Sequence, residues 1–438
     1  MINKKKSYIF AGCMITLTQY INMKKIVFLF LVTLWMVMPA SAQLLRHNFD
    51  DEGNTFIQGI ARAQFWARYT ETNPGTAVNG EMVNNVFDFS VRRVRLGVYA
   101  QVEKKWLFYV LLGNNNFNQS TLRTANLRLL DALAQYTFSE ELSIGIAKTT
   151  FLGAGRYSNG FSNASMLTLD PSVYYLNTLN HFDDMGRRIG VYAKGQLGKF
   201  EYFAALQNST IPPSSFNYSK GHPQPFTSAY LKYDFWDNEG NLLPSSGGNG
   251  TYIGNKHIMN LGLGYEYQAK ARTFTNTTDT SYRDYFNLGV DFFMDTPISE
   301  RNDAITAYVG FNNIYFGNDY VRFVGANSIF EGGTSLNGAG NASPAVGTGS
   351  SLFLQLGYLL PKWENSDIRL QPNASWRFAS YKALNNNINI YSVGVNTYFK
   401  GQKSKLSLAY ENRPVFSATD KKVSTRLGTF VLQYQIEL

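Results

Sequence analysis

Long runs of alternating apolar and polar residues constrain the fold of this chain more than any other feature. Between Ile57 and Thr70, small and aromatic residues occupy the odd positions, while Gln and Arg recur at the even positions. The stretches 259–268 and 429–438 repeat this alternation. Because successive side chains of a β-strand point to opposite faces, each run predicts a strand with one apolar and one polar face.

These runs are too long for the strands of an ordinary soluble protein. They cover about 10–15 residues each, whereas soluble strands average about 5–6 residues. A tilted strand that crosses a membrane needs about 9–11 residues. Sixteen such strands are predicted, with approximate spans 56–70, 87–101, 106–115, 126–138, 142–148, 187–197, 200–207, 226–236, 257–270, 282–294, 304–315, 351–360, 368–378, 388–399, 404–412 and 424–438.

The links between the predicted strands alternate in length. Short links follow even-numbered strands, at 103–105, 139–141, 198–199 and 400–403. Long links follow odd-numbered strands, at 71–86, 149–186, 208–225, 316–350 and 413–423. One link, 237–256, is long where a short one is expected. Because short periplasmic turns and long external loops are typical of outer-membrane barrels, the sequence predicts an all-β fold, a transmembrane antiparallel β-barrel of about sixteen strands over residues 56–438.

Composition excludes several other classes of protein. Apolar residues make up 44% of the chain, which is too large a share for a disordered protein. The single cysteine, Cys13, excludes a disulfide scaffold. After residue 42, no apolar run approaches the roughly 18 residues of a membrane-spanning helix, so a helical membrane bundle is also excluded.

The first 42 residues predict a secretory signal peptide. Met23-Lys24-Lys25 precedes an apolar run over 26–38, and Ala40-Ser41-Ala42 follows as a cleavage site. A second basic cluster lies before Met23, so Met23 is a candidate for the true start. Removal of residues 1–42 leaves 35 basic and 31 acidic side chains, a balance that indicates no nucleic-acid partner. Residues 43–55 are expected to form a short periplasmic segment before the barrel.

Short segments spread over the chain resemble one known family. In chain order they are Phe89–Val98, Asp131-Ala132, Leu142–Lys148, Arg187–Val191, Tyr202–Asn208 and Val393–Phe399 followed by Lys405-Leu406. In this order they are similar to the phosphate-selective porin O and P family of Gram-negative outer membranes, in the form common in Bacteroidetes. The resemblance implies a porin that assembles as a homotrimer. It also implies that the loop after the fifth strand folds into the pore.

The polar faces of the predicted strands carry more bases than acids. The predicted pore-lining and anion-binding residues are Arg62, Arg68, Arg93, Arg95, Arg188, Lys194, Lys232, Arg283, Arg369, Arg377 and Lys405, with Arg156 in the link 149–186. The acids on the same faces are Asp131, Glu201, Asp234, Glu266, Asp291, Glu411 and Glu437.

Four of these bases form a predicted stripe on the first two strands, with no acid between them: Arg62, Arg68, Arg93 and Arg95. Guanidinium groups are strong hydrogen-bond donors to anions, so the stripe predicts a weak preference for anions. The alternative is that these arginines pair with acids of the lumen and only line a watery channel.

The link 149–186 is expected to fold into the pore and constrict it, because a long loop in a compact protein is usually functional or disordered. A surface loop is the alternative. The candidate lining residues are Arg156, Tyr157, Asp170, Tyr174, Tyr175, Asp183 and Asp184.

The sequence His181-Phe182-Asp183-Asp184 is weak support for a metal site, and no metal or cofactor is predicted. No catalytic motif lies near any of the four histidines, so no enzymatic activity is expected.

Together these features predict a passive outer-membrane porin for small hydrophilic solutes, with a weak preference for anions such as phosphate. Its expected partners are outer-membrane lipid and small anionic or neutral solutes. One alternative is a non-conducting structural or adhesive barrel whose external loops bind a partner. A second alternative, a transporter of hydrophobic solutes, requires an apolar lumen and is disfavoured by the polar inner faces.

Overall fold

The computed structural model describes residues 46–120, 126–157, 165–169, 187–208, 224–240, 243–244, 247–275 and 280–438. The predicted signal peptide lies outside these residues. Within the described part of the chain, no helix is long and apolar enough to cross a membrane.

Sixteen long strands form the fold, as the sequence predicts. They are β1 (Phe56–Glu71), β2 (Asn85–Val102), β3 (Trp106–Phe117), β4 (Arg128–Ser139), β5 (Leu142–Thr149), β6 (Arg188–Leu197), β7 (Phe200–Gln207), β8 (Phe226–Asp234), β9 (Ile258–Thr275), β10 (Thr280–Pro297), β11 (Ala304–Tyr315), β12 (Gly349–Leu359), β13 (Arg369–Tyr381), β14 (Ile388–Tyr398), β15 (Ser404–Phe416) and β16 (Val423–Glu437). The largest differences from the predicted spans are at the ends of β9 and β15, which extend further than expected.

The strands close into a barrel. Each strand pairs antiparallel with the next one in the chain, and β16 pairs antiparallel with β1, from Arg62 opposite Glu437 to Thr70 opposite Thr429. Closure leaves the sheet without a free edge, which is the condition for a sheet to span a membrane. The predicted fold class, an antiparallel barrel of sixteen strands, is confirmed.

The sheet exposes apolar residues on the outside of the barrel and buries polar residues inside, which is the opposite of the arrangement in a soluble protein. On β9, Leu261, Leu263 and Tyr265 are exposed on the outside of the barrel, whereas Asn260 and Glu266 are fully buried on the inside. The barrel therefore has an apolar outer surface, as contact with lipid requires, and its inner surface carries many buried polar residues.

The start of β1 and the end of β16 lie at the same end of the barrel, here called the terminal end; the opposite end is called the far end. A short strand, Arg46–Asn48, pairs with the start of β1 at the terminal end. Three turns at this end are short, at 103–105, 140–141 and 198–199. The link between β8 and β9, residues 235–257, is long, so the exception noted in the sequence is a real feature of the structure.

A loop between β11 and β12, residues 316–348, covers part of the far end and is called the cover loop. It contains the paired short strands Val321–Val324 and Ser343–Gly347. It reaches β1, although five strands separate β11 from β1, because Arg68 donates to the carbonyls of Ala326 and Asn327 at 2.7 and 2.9 Å.

Candidate functional site

The described residues of the link that follows β5 lie inside the barrel. They are described over 150–157 and 165–169 and are called the inner segment. The amide of Arg156 donates to the carboxylate of Asp291 on β10. Asn396 on β14 donates to the carbonyl of Leu167 at 2.8 Å. The described parts of the inner segment therefore contact the inner wall at β10 and at β14.

Two glycines make room for the inner segment. Gly264 on β9 and Gly289 on β10 lie opposite each other in the sheet, at inward-facing positions. A Cβ atom on Gly264 would collide with the carbonyl oxygen of Gly153, and one on Gly289 with that of Ala154. Glycine weakens a strand interior in general, and it often marks a place where another backbone approaches closely. This pair is such a place.

The link between β8 and β9 enters the lumen from the terminal end and is called the long link. It is described over 235–240, 243–244 and 247–257. The amide of Leu152 in the inner segment donates to the carbonyl of Pro244 at 3.0 Å. The amide of Gly250 donates to Ser165 Oγ at 3.4 Å. Two segments that enter from opposite ends of the barrel therefore contact each other inside it.

A buried ion pair joins the two segments. Both terminal nitrogens of Arg156 donate to the carboxylate of Glu239, with an Nη1–Oε2 distance of 2.8 Å, and both side chains are fully buried. Lys232 on β8 and Tyr252 also donate to Glu239, at 2.9 and 2.5 Å. Burial alone would raise the pKa of Glu239, but the charges of Arg156 and Lys232 outweigh it and lower the pKa to about 2. The carboxylate therefore stays ionised at neutral pH.

Apolar side chains fill the lumen around the inner segment. Phe151 contacts Tyr192 on β6, and Tyr157 packs on Tyr308 of β11 with 4.5 Å between ring centroids. In the described residues, the clusters of buried apolar side chains take their barrel members from β3 to β15. The wall made of β16, β1 and β2 contributes none of the buried members of these clusters, and it is called the polar wall.

Three of the predicted pore-lining arginines come together on the polar wall. Arg62 on β1 lies directly opposite Arg95 on β2, and Arg93 is the next inward residue of β2. Arg62 forms an ion pair with Glu437 of β16 at 2.6 Å. Arg95 donates to the side chain of Asn115 on β3 at 2.8 Å. This part of the wall therefore presents three guanidinium groups close together, beside the carboxylate of Glu437.

The structure contradicts the predicted stripe of four arginines with no acid between them. Arg68 forms a buried ion pair with Asp88 of β2 at 2.8 Å. The alternation missed Asp88 because β2 contains a bulge at Arg92, where the register with β1 shifts. A bulge adds one residue and reverses the alternation beyond it, so Asp88 faces inward. Arg62 also has a carboxylate partner, Glu437, so at least two of the four arginines pair with an acid.

Several other predicted bases lie inside the barrel but away from the polar wall. Arg188 on β6 donates to Gln207 at 3.1 Å, and Arg377 on β13 pairs with Glu411 at 2.5 Å. Lys232 belongs to the group around Glu239, described above. These three bases are buried in contacts with their neighbours.

Lys405 on β15 is also buried and donates to the carbonyl of Met166 at 3.0 Å. Three further predicted bases on strands occupy less buried positions. Lys194 is half-buried on β6, and Arg283 is exposed near the start of β10. Arg369 begins β13 and donates to the carbonyl of Leu360 at 3.1 Å, at the terminal end. Arg283 and Arg369 therefore belong to the two mouths of the barrel.

Of the residues predicted to line a constriction in the link 149–186, Arg156 and Tyr157 are described and both are buried. The other candidate lining residues lie outside the described residues: Asp170, Tyr174, Tyr175, Asp183 and Asp184. The candidate metal sequence 181–184 also lies outside them. Among the described residues, no group of three or more His, Cys, Asp or Glu is placed to hold a metal ion.

Known proteins resemble this chain in fold and not in sequence. No family model and no curated protein matches it. It is similar to the structure of Salmonella typhi OmpF in complex with daunomycin, with a TM-score of 0.50 and 9% identity over 87% of this chain and 98% of that chain. For the outer-membrane channel DcaP of Acinetobacter baumannii, the TM-score is 0.48 and the identity is 14%, over 89% of this chain and 99% of that chain. The fold is that of outer-membrane porins.

Proposed function

We propose that the protein is a passive porin of the outer membrane that admits small hydrophilic solutes. The observation that carries this proposal is the polar wall. Buried apolar clusters occupy the interior next to β3–β15, while β16, β1 and β2 present guanidinium, carboxamide and carboxylate groups. A barrel of sixteen strands is wide enough for an aqueous channel, and the polar wall is the side along which water and solutes would pass.

The path along the polar wall is proposed to prefer anions weakly. Arg62, Arg93 and Arg95 lie there on adjacent positions of β1 and β2, and Arg62 pairs with Glu437. An excess of guanidinium groups in a narrow passage attracts anions and repels cations. The sequence resemblance to the phosphate-selective porin O and P family supports phosphate as a candidate solute.

The surroundings of the protein follow from the same proposal. The signal peptide at residues 1–42, with Met23 as a candidate start, would direct export, and the apolar outer face would contact outer-membrane lipid. The terminal end would face the periplasm, with residues 43–55 beside it. The family resemblance supports a homotrimer. No enzymatic activity and no cofactor is part of the proposal.

Single-channel recording in a planar bilayer tests the channel itself. We expect stepwise conductance from the purified wild-type protein, because the inward side chains of the polar wall include charged and hydrogen-bonding groups that suit the passage of water and ions. A folded barrel that gives no conductance would contradict the proposed function.

Reversal potentials across a KCl gradient test the preference for anions. We expect anion selectivity in the wild type and a clear loss of it in the double variant Arg93→Ala/Arg95→Ala. Arg301→Ala is the matched control, because Arg301 is exposed in the turn between β10 and β11. Equal selectivity in the double variant and the wild type would show that the two arginines are structural.

The alternative function, a non-conducting barrel whose external loops bind a partner, has one specific observation in its favour. The inner segment, the long link and the cover loop together occupy much of the interior and of the far end. The conductance measurement decides between the two functions, since the alternative predicts no steps.

A further inference from the structure

The side chain of Arg156 is bound mainly by the long link. Besides the two contacts with Glu239, its terminal nitrogens donate to the carbonyls of Gly247 and Asn249, at 2.8 and 2.7 Å. Its guanidinium also lies 3.7 Å from the ring centroid of Phe293 on β10. A side chain of the inner segment is thus enclosed by a segment that enters the barrel from the other end.

The glycines of the long link fit it to Arg156. A Cβ atom on Gly247 would lie 3.0 Å from the Cα atom of Arg156. Gly248 has a φ of +119°, and a Cβ atom there would collide with the side chains of both Glu239 and Arg156. A larger residue at position 248 would therefore force the ion pair apart.

Glu239 is in turn fixed to the barrel wall. Lys232 on β8 and Asn260 on β9 both donate to it, at 2.9 and 2.8 Å. The chain of contacts runs from the wall through Glu239 to Arg156, and from the amide of Arg156 to Asp291 on β10. The two segments are held at one point, and that point is tied to two neighbouring regions of the wall.

We infer that the ion pair between Arg156 and Glu239 is the joint that keeps both segments in the lumen, and that the two segments together set the size of the largest solute that passes. This inference rests on the proposed function. Arg156 and Glu239 are positioning residues here, because they act by holding the backbone of two segments across the barrel. Removal of one partner leaves the other as an unpaired buried charge, which is strongly unfavourable.

The first test is the variant Glu239→Gln, which keeps the shape of the side chain and removes its charge. We expect both segments to loosen, so that single-channel conductance rises about twofold and open-channel noise increases. In liposome-swelling measurements with sugars of increasing size, the cut-off should move to larger sugars. The mobility of the unheated protein on a gel should stay that of a folded barrel.

Two glycines of the long link provide a matched pair of variants. Gly248→Ala should reproduce the effect of Glu239→Gln, since its Cβ atom meets the ion pair. Gly240→Ala is the control, because Gly240 also has a positive φ, +69°, but a Cβ atom there meets nothing within 4 Å. Wild-type conductance and cut-off in both Gly248→Ala and Glu239→Gln would overturn the inference.

Limited proteolysis tests the joint without any measurement of conductance. Lys256 lies near the end of the long link and donates to the carbonyl of Glu239 at 3.3 Å. We expect trypsin to cleave after Lys256 at least tenfold faster in Glu239→Gln than in the wild type, as detected by mass spectrometry. Equal cleavage rates in the variant and the wild type would overturn the inference. A folded wild-type protein that gives no single-channel conductance would contradict only the proposed function.

A milder variant covers the case in which Glu239→Gln does not assemble. Tyr252→Phe removes one hydrogen bond to Glu239 and leaves both charges of the ion pair in place. We expect faster cleavage after Lys256 and higher conductance, with smaller changes than those of Glu239→Gln. If Tyr252→Phe and Gly248→Ala both behave as the wild type, the joint does not hold the segments.

Discussion

Two parts of the lumen wall show the same alternating sequence pattern and are used in different ways. On the polar wall, side chains of neighbouring strands bind each other, as in the hydrogen bond of 2.8 Å between Gln64 and Gln435. On β10, inward side chains bind segments that enter the lumen, and Asp295 accepts a hydrogen bond of 2.9 Å from Thr251 of the long link. Alternation therefore determines which residues face inward, while segments distant in sequence determine what those residues contact.

The largest expected effect comes from filling the glycine pair on which the inner segment lies. In Gly264→Val/Gly289→Val, the new side chains collide with the backbone of Gly153 and Ala154. Overpacking of this kind costs about 1–3 kcal/mol per site, so the inner segment should leave the wall and conductance should rise about threefold. Single-channel recording measures this rise.

The control for the glycine pair is Leu263→Val/Leu288→Val, which changes residues exposed on the outside of the same two strands. The control should conduct as the wild type does. Unchanged conductance in a folded Gly264→Val/Gly289→Val barrel would show that the inner segment does not depend on this part of the wall.

A second prediction compares two ion pairs on the polar wall. The side chains of Arg68 and Asp88 are almost fully buried, whereas those of Arg62 and Glu437 are 20% and 22% exposed. Asp88→Asn should lower the free energy of unfolding by about 3 kcal/mol, and Glu437→Gln by less than about 1 kcal/mol. Urea unfolding in lipid vesicles measures both values. Equal losses would mean that burial does not distinguish the two pairs.

A third prediction concerns pH. The pKa of Glu239 is about 2 in the folded protein, below its ordinary value of 4.5, because of Arg156 and Lys232. A lowered pKa contributes stability that is present above pH 4.5 and is lost as the pH falls towards 2. The urea midpoint of the wild type should therefore fall more steeply over this range than that of Glu239→Gln. Parallel curves would contradict the ionised state of Glu239.

The smallest expected effect is on selectivity. Glu437→Gln removes the carboxylate that pairs with Arg62 on the polar wall. The ratio of anion to cation permeability should rise by less than about twofold, because the pair is partly exposed and salt screens it. Reversal potentials at low and high KCl measure the change, which should shrink as salt increases. A fall in anion preference would contradict the proposed path along this wall.

The sixteen strands could be predicted from the sequence because each one depends on a local pattern. A bilayer outside and a polar interior inside impose the same alternation on every strand. The prediction of inward residues fails where the pattern itself breaks, and Asp88 shows why. The bulge at Arg92 shifts the register between β1 and β2, and its trace in the sequence is the adjacent pair Arg92-Arg93, where polar residues change from even to odd positions.

The interior could be predicted only in part. The length of the link 149–186 makes Arg156 a candidate site residue, but its partner Glu239 lies 83 residues further along the chain. Two signals for the long link were present: its unusual length and the sequence Gly247-Gly248-Asn249-Gly250. Neither signal indicates that the link enters the barrel, because this depends on contacts between segments far apart in the chain.

The seam between β1 and β16 has a consequence for how the protein reaches its folded state. It joins residues such as Arg62 and Glu437, which are separated by 375 positions in the chain. Closing a loop of that length costs about 5 kcal/mol of chain entropy, and contacts between distant residues form slowly. Until the seam forms, the first and last strands are open edges that can pair with other chains. Assembly in the cell should therefore depend on chaperoning of these two strands until they meet.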